Sequence, residues 1–130
     1  MGQTYLLDTN IIIYILNGTL KVKQSPELKA VAKTSINISV ISKMKLLDWN
    51  APNKQEFQLL EDFVDNAYIE ELTDEIVDKT IAIKKSKKIK LPDAIIAATA
   101  IENNHILITR NESDFNSISG LTFVNPFNTV

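Results

Sequence analysis

The 130-residue chain has no cysteine, a single histidine and a single tryptophan, and only three glycines and four prolines. Without cysteine there are no disulfides, no thiolate metal sites and no cysteine nucleophile. Any metal must be held by oxygen ligands or by His105. The scarcity of glycine and proline, with 45% hydrophobic and 23% charged residues, excludes fibrous and disordered classes and fits an ordinary globular protein. Nor is there an excess of one charge: a net charge of −2 argues against an overall basic nucleic-acid clamp, though a local basic face stays open. No apolar run approaches the roughly 20 residues of a membrane span, and the N-terminus has no charged segment leading into an apolar stretch with a small-residue cleavage site. The expectation is a soluble cytoplasmic protein with no membrane contact, folded as one domain over residues 1–130.

What the chain does have begins at Thr4-Tyr5-Leu6-Leu7-Asp8-Thr9-Asn10, a short apolar run that stops on a carboxylate and hands over to Ile11-Ile12-Ile13-Tyr14-Ile15-Leu16. This reads as a central parallel strand followed by a helix that Asn17-Gly18 ends. Ser25-Pro26-Glu27 opens a helix to about Thr34, with Ser as cap and Pro in the first turn. Ile36 to Val40 alternates as a second strand, and Ser42 to Trp49 turns helical, sending Met44, Leu46 and Leu47 toward a core. Asn53 caps a helix through Phe63, Ala67 to Leu72 holds a third strand, and Thr73-Asp74-Glu75 starts a helix that runs out into Lys84 to Lys90. Ala94 to Asn103, entered through Leu91-Pro92-Asp93, is apolar nearly all round and so belongs between the sheet and its neighbours. Ile106 to Thr109 is a strand, Asn111 to Phe115 a turn or short helix, and Leu121 to Val124 a last strand. Strands alternating with helices imply an α/β fold, a parallel sheet covered on both faces and joined by right-handed crossovers.

In such a sheet, ligands bind at the carboxyl ends of the strands. Three acids fall at that end: Asp8 past the first strand, Asp93 at a helix start, and Asp114 shortly past Ile106-Leu107-Ile108-Thr109. Singly, each has a plain reading as a helix cap or a partner of a helix dipole. Together they would repel unless protonated or neutralised by a cation, and hard oxygen ligands without cysteine select Mg²⁺ or Mn²⁺. A start at Asp8-Thr9-Asn10 also suggests aspartyl-phosphate chemistry. Asn10, standing where that chemistry uses a second Asp, weakens this reading.

Four segments in order, Leu6-Leu7-Asp8-Thr9-Asn10, Ile38-Ser39-Val40-Ile41-Ser42, Leu91-Pro92-Asp93-Ala94-Ile95-Ile96-Ala97-Ala98 and Leu107 through Phe115, resemble the motifs of PIN-domain nucleases, and most of all VapC-type toxins of toxin–antitoxin pairs. The resemblance implies a five-stranded parallel sheet with helices on both faces and a Mg²⁺- or Mn²⁺-dependent endoribonuclease. It makes Asp8 and Asp93 the metal ligands, with Asp114 completing the catalytic set through water and Asn111 orienting it. It further implies an RNA substrate, a protein antitoxin and a homodimer. At one position the chain departs: where the family usually places an inward Glu, it has Lys45. Either Lys45 neutralises the acids without metal and impairs the enzyme, leaving a silent binding module that still pairs with an antitoxin, or Asp48, one turn on, partly stands in.

The remaining polar residues read more plainly. His105 is a turn or surface histidine without a ligand-spaced partner, and Lys84 to Lys90 is either a solvated helix end or a phosphate contact. Arg110 touches phosphate or pairs with Glu112, and Trp49, Tyr14 and Phe57 pack in the core or at a dimer contact.

Overall fold

In the computed structural model, which describes residues 2–128, adjacent residues of the first strand enter different cores. Leu6 of β1 (Thr4–Leu7) joins Leu107, Ile96 and Phe115, whereas Leu7 joins Ile11, Ile38, Leu60 and Ile108. That split is the period of two of a strand buried on both faces. Asp8 ends the strand and caps α1 (Thr9–Leu16), and Gly18, at φ 84°, takes the chain out of it. A 3₁₀ turn at Val22–Gln24 leads to α2 (Pro26–Lys33), where the Ser25 hydroxyl accepts from Leu28 N at 3.2 Å and Pro26 fills the first turn.

The second strand, β2 (Asn37–Ser39), is shorter than its apolar pattern suggests. Val40 and Ile41 favour strand by propensity. Ser39 Oγ instead accepts from Ile41 N at 3.1 Å and starts α3 (Val40–Leu47) two residues ahead of the expected boundary. The inward stripe of α3 holds Ser42 and Leu46, and Met44, expected in the core, lies about 200° round the helix from each and is 54% exposed. Then follow α4 (Lys54–Asp65), β3 (Tyr68–Glu70), α5 (Asp74–Ser86), α6 (Leu91–Glu102), β4 (His105–Ile108), α7 (Glu112–Phe115), β5 (Phe123–Val124) and a closing 3₁₀ turn at Pro126–Asn128.

All pairings in the sheet are parallel, in the order β3-β2-β1-β4-β5, so β1 lies at the centre as its hydrophobicity requires. The order reverses at β1, with β2 to one side and β4 to the other, which opens a crevice beyond their carboxyl ends. The expected α/β fold of five parallel strands flanked by helices is therefore observed. Helix α6 is buried over Ala94 to Ala100 and packs with α5 on one face, as its all-round apolar sequence implies. The other face is covered by residues of α1, α2, α3 and α4. No described helix is long and apolar enough to cross a membrane.

Ile96→Ala is expected to lower unfolding free energy by about 2–5 kcal/mol in urea titrations, because it deletes fully buried volume where α6 meets the sheet. The same change at Ile81, 48% exposed on α5, should stay within about 0.5 kcal/mol. Equal losses at the two positions would contradict this assignment of the core.

Candidate functional site

Asp8 is 5% exposed, and both of its carboxylate oxygens are held. Oδ1 accepts from Thr9 N at 2.8 Å, and Oδ2 accepts from Thr109 Oγ1 at 2.8 Å. Thr109 in turn accepts from Asn111 N at 3.0 Å, and Asn111 Nδ2 donates to Asp114 Oδ2 at 2.6 Å. One relay of hydrogen bonds thus runs from the end of β1 across the end of β4 to α7. On the other side, Thr9 Oγ1 and Ser42 Oγ lie 2.8 Å apart and join the start of α1 to α3. Thr9, Ser42 and Thr109 are buried hydroxyls that sequence reasoning passes over. Their only signal there is a small polar residue just past an apolar run, the same signal that marks the acids.

Burial raises the pKa of Asp8 above its ordinary value, against the hydrogen bonds from Thr109 and Thr9; the charge of Asp93 adds to the rise and Lys45 opposes it. Asp93, in the first turn of α6, is also raised, by burial first, with Asp114 adding and Lys45 and Lys90 opposing. Asp8 and Asp114 therefore each act on Asp93, and Asn111 holds Asp114 in place. The four residues singled out in the sequence, Asp8, Asp93, Asn111 and Asp114, gather on one side of the molecule at the carboxyl edge of the sheet.

The acids are gathered without forming a dense cage. Among the described residues, no group of three or more His, Cys, Asp or Glu side chains is placed to hold a metal ion, and every buried polar side chain has a hydrogen-bond partner. Asp8 and Asp93 are the pair whose chemistry fits a hard cation: oxygen donors, mutually repelling, short of positive charge. Lys45 stands within electrostatic reach of both but is exposed and, among the described residues, makes no ion pair within 4.0 Å. Asp48 caps the end of α3 and lines a separate groove with Trp49, Asn53 and Phe57.

Other residues fall elsewhere. His105 is neither exposed nor catalytic in setting: its ring bridges Thr4 Oγ1 at 2.7 Å and Glu70 Oε1 at 2.8 Å, which corrects the surface reading. Within the lysine run, Lys84 Nζ donates to Ile89 O at 2.5 Å and Lys87 Nζ to Ser117 Oγ at 2.8 Å. Trp49, expected to pack, is 43% exposed and shares an apolar groove of about 460 Å³ with Ile13, Leu16, Pro52 and Leu59. Arg110 does not pair with Glu112, whose Oε2 accepts from Asn125 and Asn128 Nδ2 at 2.8 and 2.9 Å. Its guanidinium lies over the rings of Phe127 and Tyr14.

Residues 5–121 match the family model of the PIN domain. The chain belongs to the PIN-domain family. Among solved structures, it is similar to a chain of a toxin–antitoxin complex from Klebsiella pneumoniae, 30% identical over 95% of this chain and 98% of that one, TM-score 0.72. A chain of VapBC2 from Rickettsia felis, bound to a DNA fragment from its promoter, is 26% identical over 95% and 98%, TM-score 0.79. A chain of VapBC-1 from nontypeable Haemophilus influenzae shares the fold at 24% identity over 97% and 100%, TM-score 0.78. No curated protein matches the chain in sequence. PIN domains are a family of nucleases, and here the fold is present over nearly the whole length.

The raised carboxylates fix the sign of a pH effect. A carboxylate whose pKa is higher folded than unfolded lends stability that is full below the ordinary value of 3.8 and is lost as pH rises through the folded value. Without added divalent ion, Asp8→Asn should therefore gain on the wild type in urea midpoint between about pH 4 and about pH 7. An Asp8→Asn protein that loses stability equally at both ends of that range would show that Asp8 is not strained by its charge.

Proposed function

We propose that this PIN-domain protein is a VapC-type toxin built as a metal-dependent endoribonuclease that hydrolyses phosphodiester bonds of single-stranded RNA, with its competence impaired by Lys45. The observation that carries the reading is the placement of Asp8 and Asp114, joined through Thr109 and Asn111, with Asp93 in the first turn of α6, at the carboxyl edge of a PIN-domain sheet. Asp8 and Asp93 would hold a Mg²⁺ or Mn²⁺ ion, which when bound supplies an activated water and charge neutralisation at the phosphate. The chain's own part is positional. Thr9 N and Thr109 Oγ1 fix the Asp8 carboxylate, and Asn111 holds Asp114 toward the same crevice. The residues 1–130 act as one domain, in the cytoplasm, and as a homodimer on the family's likeness.

A second reading rests on Lys45. A unit charge about 6 Å from a divalent ion is worth several kcal/mol even at an effective dielectric near 20, and Glu to Lys changes the local charge by two. Lys45 then acts as the resident cation, and the chain is a silent module that keeps the scaffold and its partner. That partner is a protein antitoxin that occludes the acidic crevice; the similar chains come from toxin–antitoxin complexes, which supports this. Asp48, turned to another groove, gives no support to the idea that it replaces the missing Glu.

Lys45→Glu is expected to raise Mn²⁺ affinity, measured by calorimetry, on the order of a hundredfold or more, given the size of that charge effect, and to bring cleavage of a labelled single-stranded RNA. If Lys45→Glu gains neither, the impaired-site account is wrong; if the unaltered chain already cleaves RNA in a metal-dependent way, the silent reading is. Replacing Lys85, Lys88 and Lys90 with Gln tests the basic run: if these lysines hold phosphates, RNA binding weakens and the salt slope falls by about 0.7 for each phosphate no longer neutralised.

A further inference from the structure

Just past the carboxyl end of β4, at the edge of the sheet that holds Asp8, stands an arginine that pairs with neither Asp8 nor Asp93. Arg110 follows Thr109, the residue whose hydroxyl holds Asp8, so its Cα lies about 3.8 Å further along the backbone. Its guanidinium carbon sits 4.1 Å from the centre of the Phe127 ring and 5.4 Å from that of Tyr14. The two rings meet edge to face, 5.3 Å apart at 82°. The obvious carboxylate in its own loop, Glu112, is occupied by Asn125 and Asn128, which fasten the closing 3₁₀ turn and hence Phe127 beside it. Among the described residues, no carboxylate lies within 4.0 Å of Arg110, and the side chain is exposed.

A guanidinium held over aromatic rings spends none of its N–H donors on them and loses little further freedom when those donors are used. Its forked donors fit a tetrahedral or planar anion with two parallel bonds. An acidic crevice repels a polyanion unless cations outside it take the flanking phosphates, and a fixed cation at the rim meets that need.

We propose that Arg110 is a positioning residue that grips a backbone phosphate of single-stranded RNA next to the bond presented to Asp8 and Asp93, with Tyr14 and Phe127 as its platform. This rests on the nuclease reading. Arg110 does no chemistry; it sets the register of the strand.

The test is the binding of a fluorescein-labelled single-stranded RNA, followed by anisotropy through a salt series with no divalent ion added, so that binding is read apart from cleavage. Arg110→Ala should bind about tenfold more weakly, and the slope of log affinity against log salt should shrink by about 0.7, the share of one phosphate on a single strand. Arg110→Lys should keep the slope and recover only part of the affinity, and Phe127→Leu should lose affinity at unchanged slope. A packing role alone would lower the melting temperature of Arg110→Ala and leave RNA affinity and slope where they were; that result overturns the proposal. If the unaltered chain binds RNA and Arg110→Ala binds it as well, the proposal fails and the nuclease reading stands. If the unaltered chain binds no RNA, both fall together.

Discussion

A carboxylate that is only 5% exposed sits where the central strand becomes a helix, and much of the molecule is arranged to hold it there. Hydrogen bonds from Thr9 N and Thr109 Oγ1 satisfy Asp8 geometrically, and the N-terminus of α1 favours its charge. These do not suffice. Burial, joined by Asp93, still lifts its pKa, so the charged form of Asp8 is disfavoured in the folded chain and Lys45 offsets this only in part. The ends of β1 and β4 and the starts of α1, α3 and α6 thereby meet at one crevice where carboxylate charge is costly.

How much of this was legible follows from which interactions are local. The five strands, their parallel pairing and the burial of α6 follow from apolar runs and caps within a few residues of one another, and so they read directly from the chain. The end of β2 did not, because Val40 and Ile41 look like strand until the Ser39 hydroxyl is seen capping them. Met44 faces solvent because a helix cannot turn it and Leu46 to the same side. Asp8, Asp93 and Asp114 were legible together because acids at strand ends and a helix start arrive at one edge of a parallel sheet, whereas Asn111 entered only through the resemblance to PIN-domain nucleases. What joins them was not legible: the Thr9–Ser42 and Asp8–Thr109 bonds span 33 and 101 residues, and a lone Thr or Ser carries no mark of such a partner. Likewise the rings beneath Arg110 lie at opposite ends of the sequence, and Glu112, its obvious local partner, is taken by two asparagines near the C-terminus.

Lys45 bears on the site through charge, making no ion pair among the described residues. It lies on α3 one turn beyond Ile41, which packs against the α6 cluster, so the helix presents position 45 toward Asp93 whatever residue stands there. A carboxylate at that place would add an anion and a metal ligand. An exposed ammonium on four methylenes does the reverse, offering compensation from a distance, screened by water and free to swing away. That is enough to lower the pKa values it acts on, and not enough to bring either acid down to its ordinary value.

The two acids do not bear equally on whether the site still works. Asp8 would be kept in a silent descendant, because it caps α1 and anchors Thr109, and its loss would unpair a buried hydroxyl and a backbone N–H. Its presence therefore says little about chemistry. Among the described residues Asp93 has no such structural tie: no side-chain hydrogen bond lowers its pKa, it is half-buried and raised further by the charge of Asp114, and the helix dipole and the ammonium groups of Lys45 and Lys90 favour its charge. A neutral residue there would ease the repulsion at no cost in hydrogen bonds. A cationic occupant of the crevice would offset the repulsion between the carboxylates at 8, 93 and 114 in a way that the helix dipole alone does not.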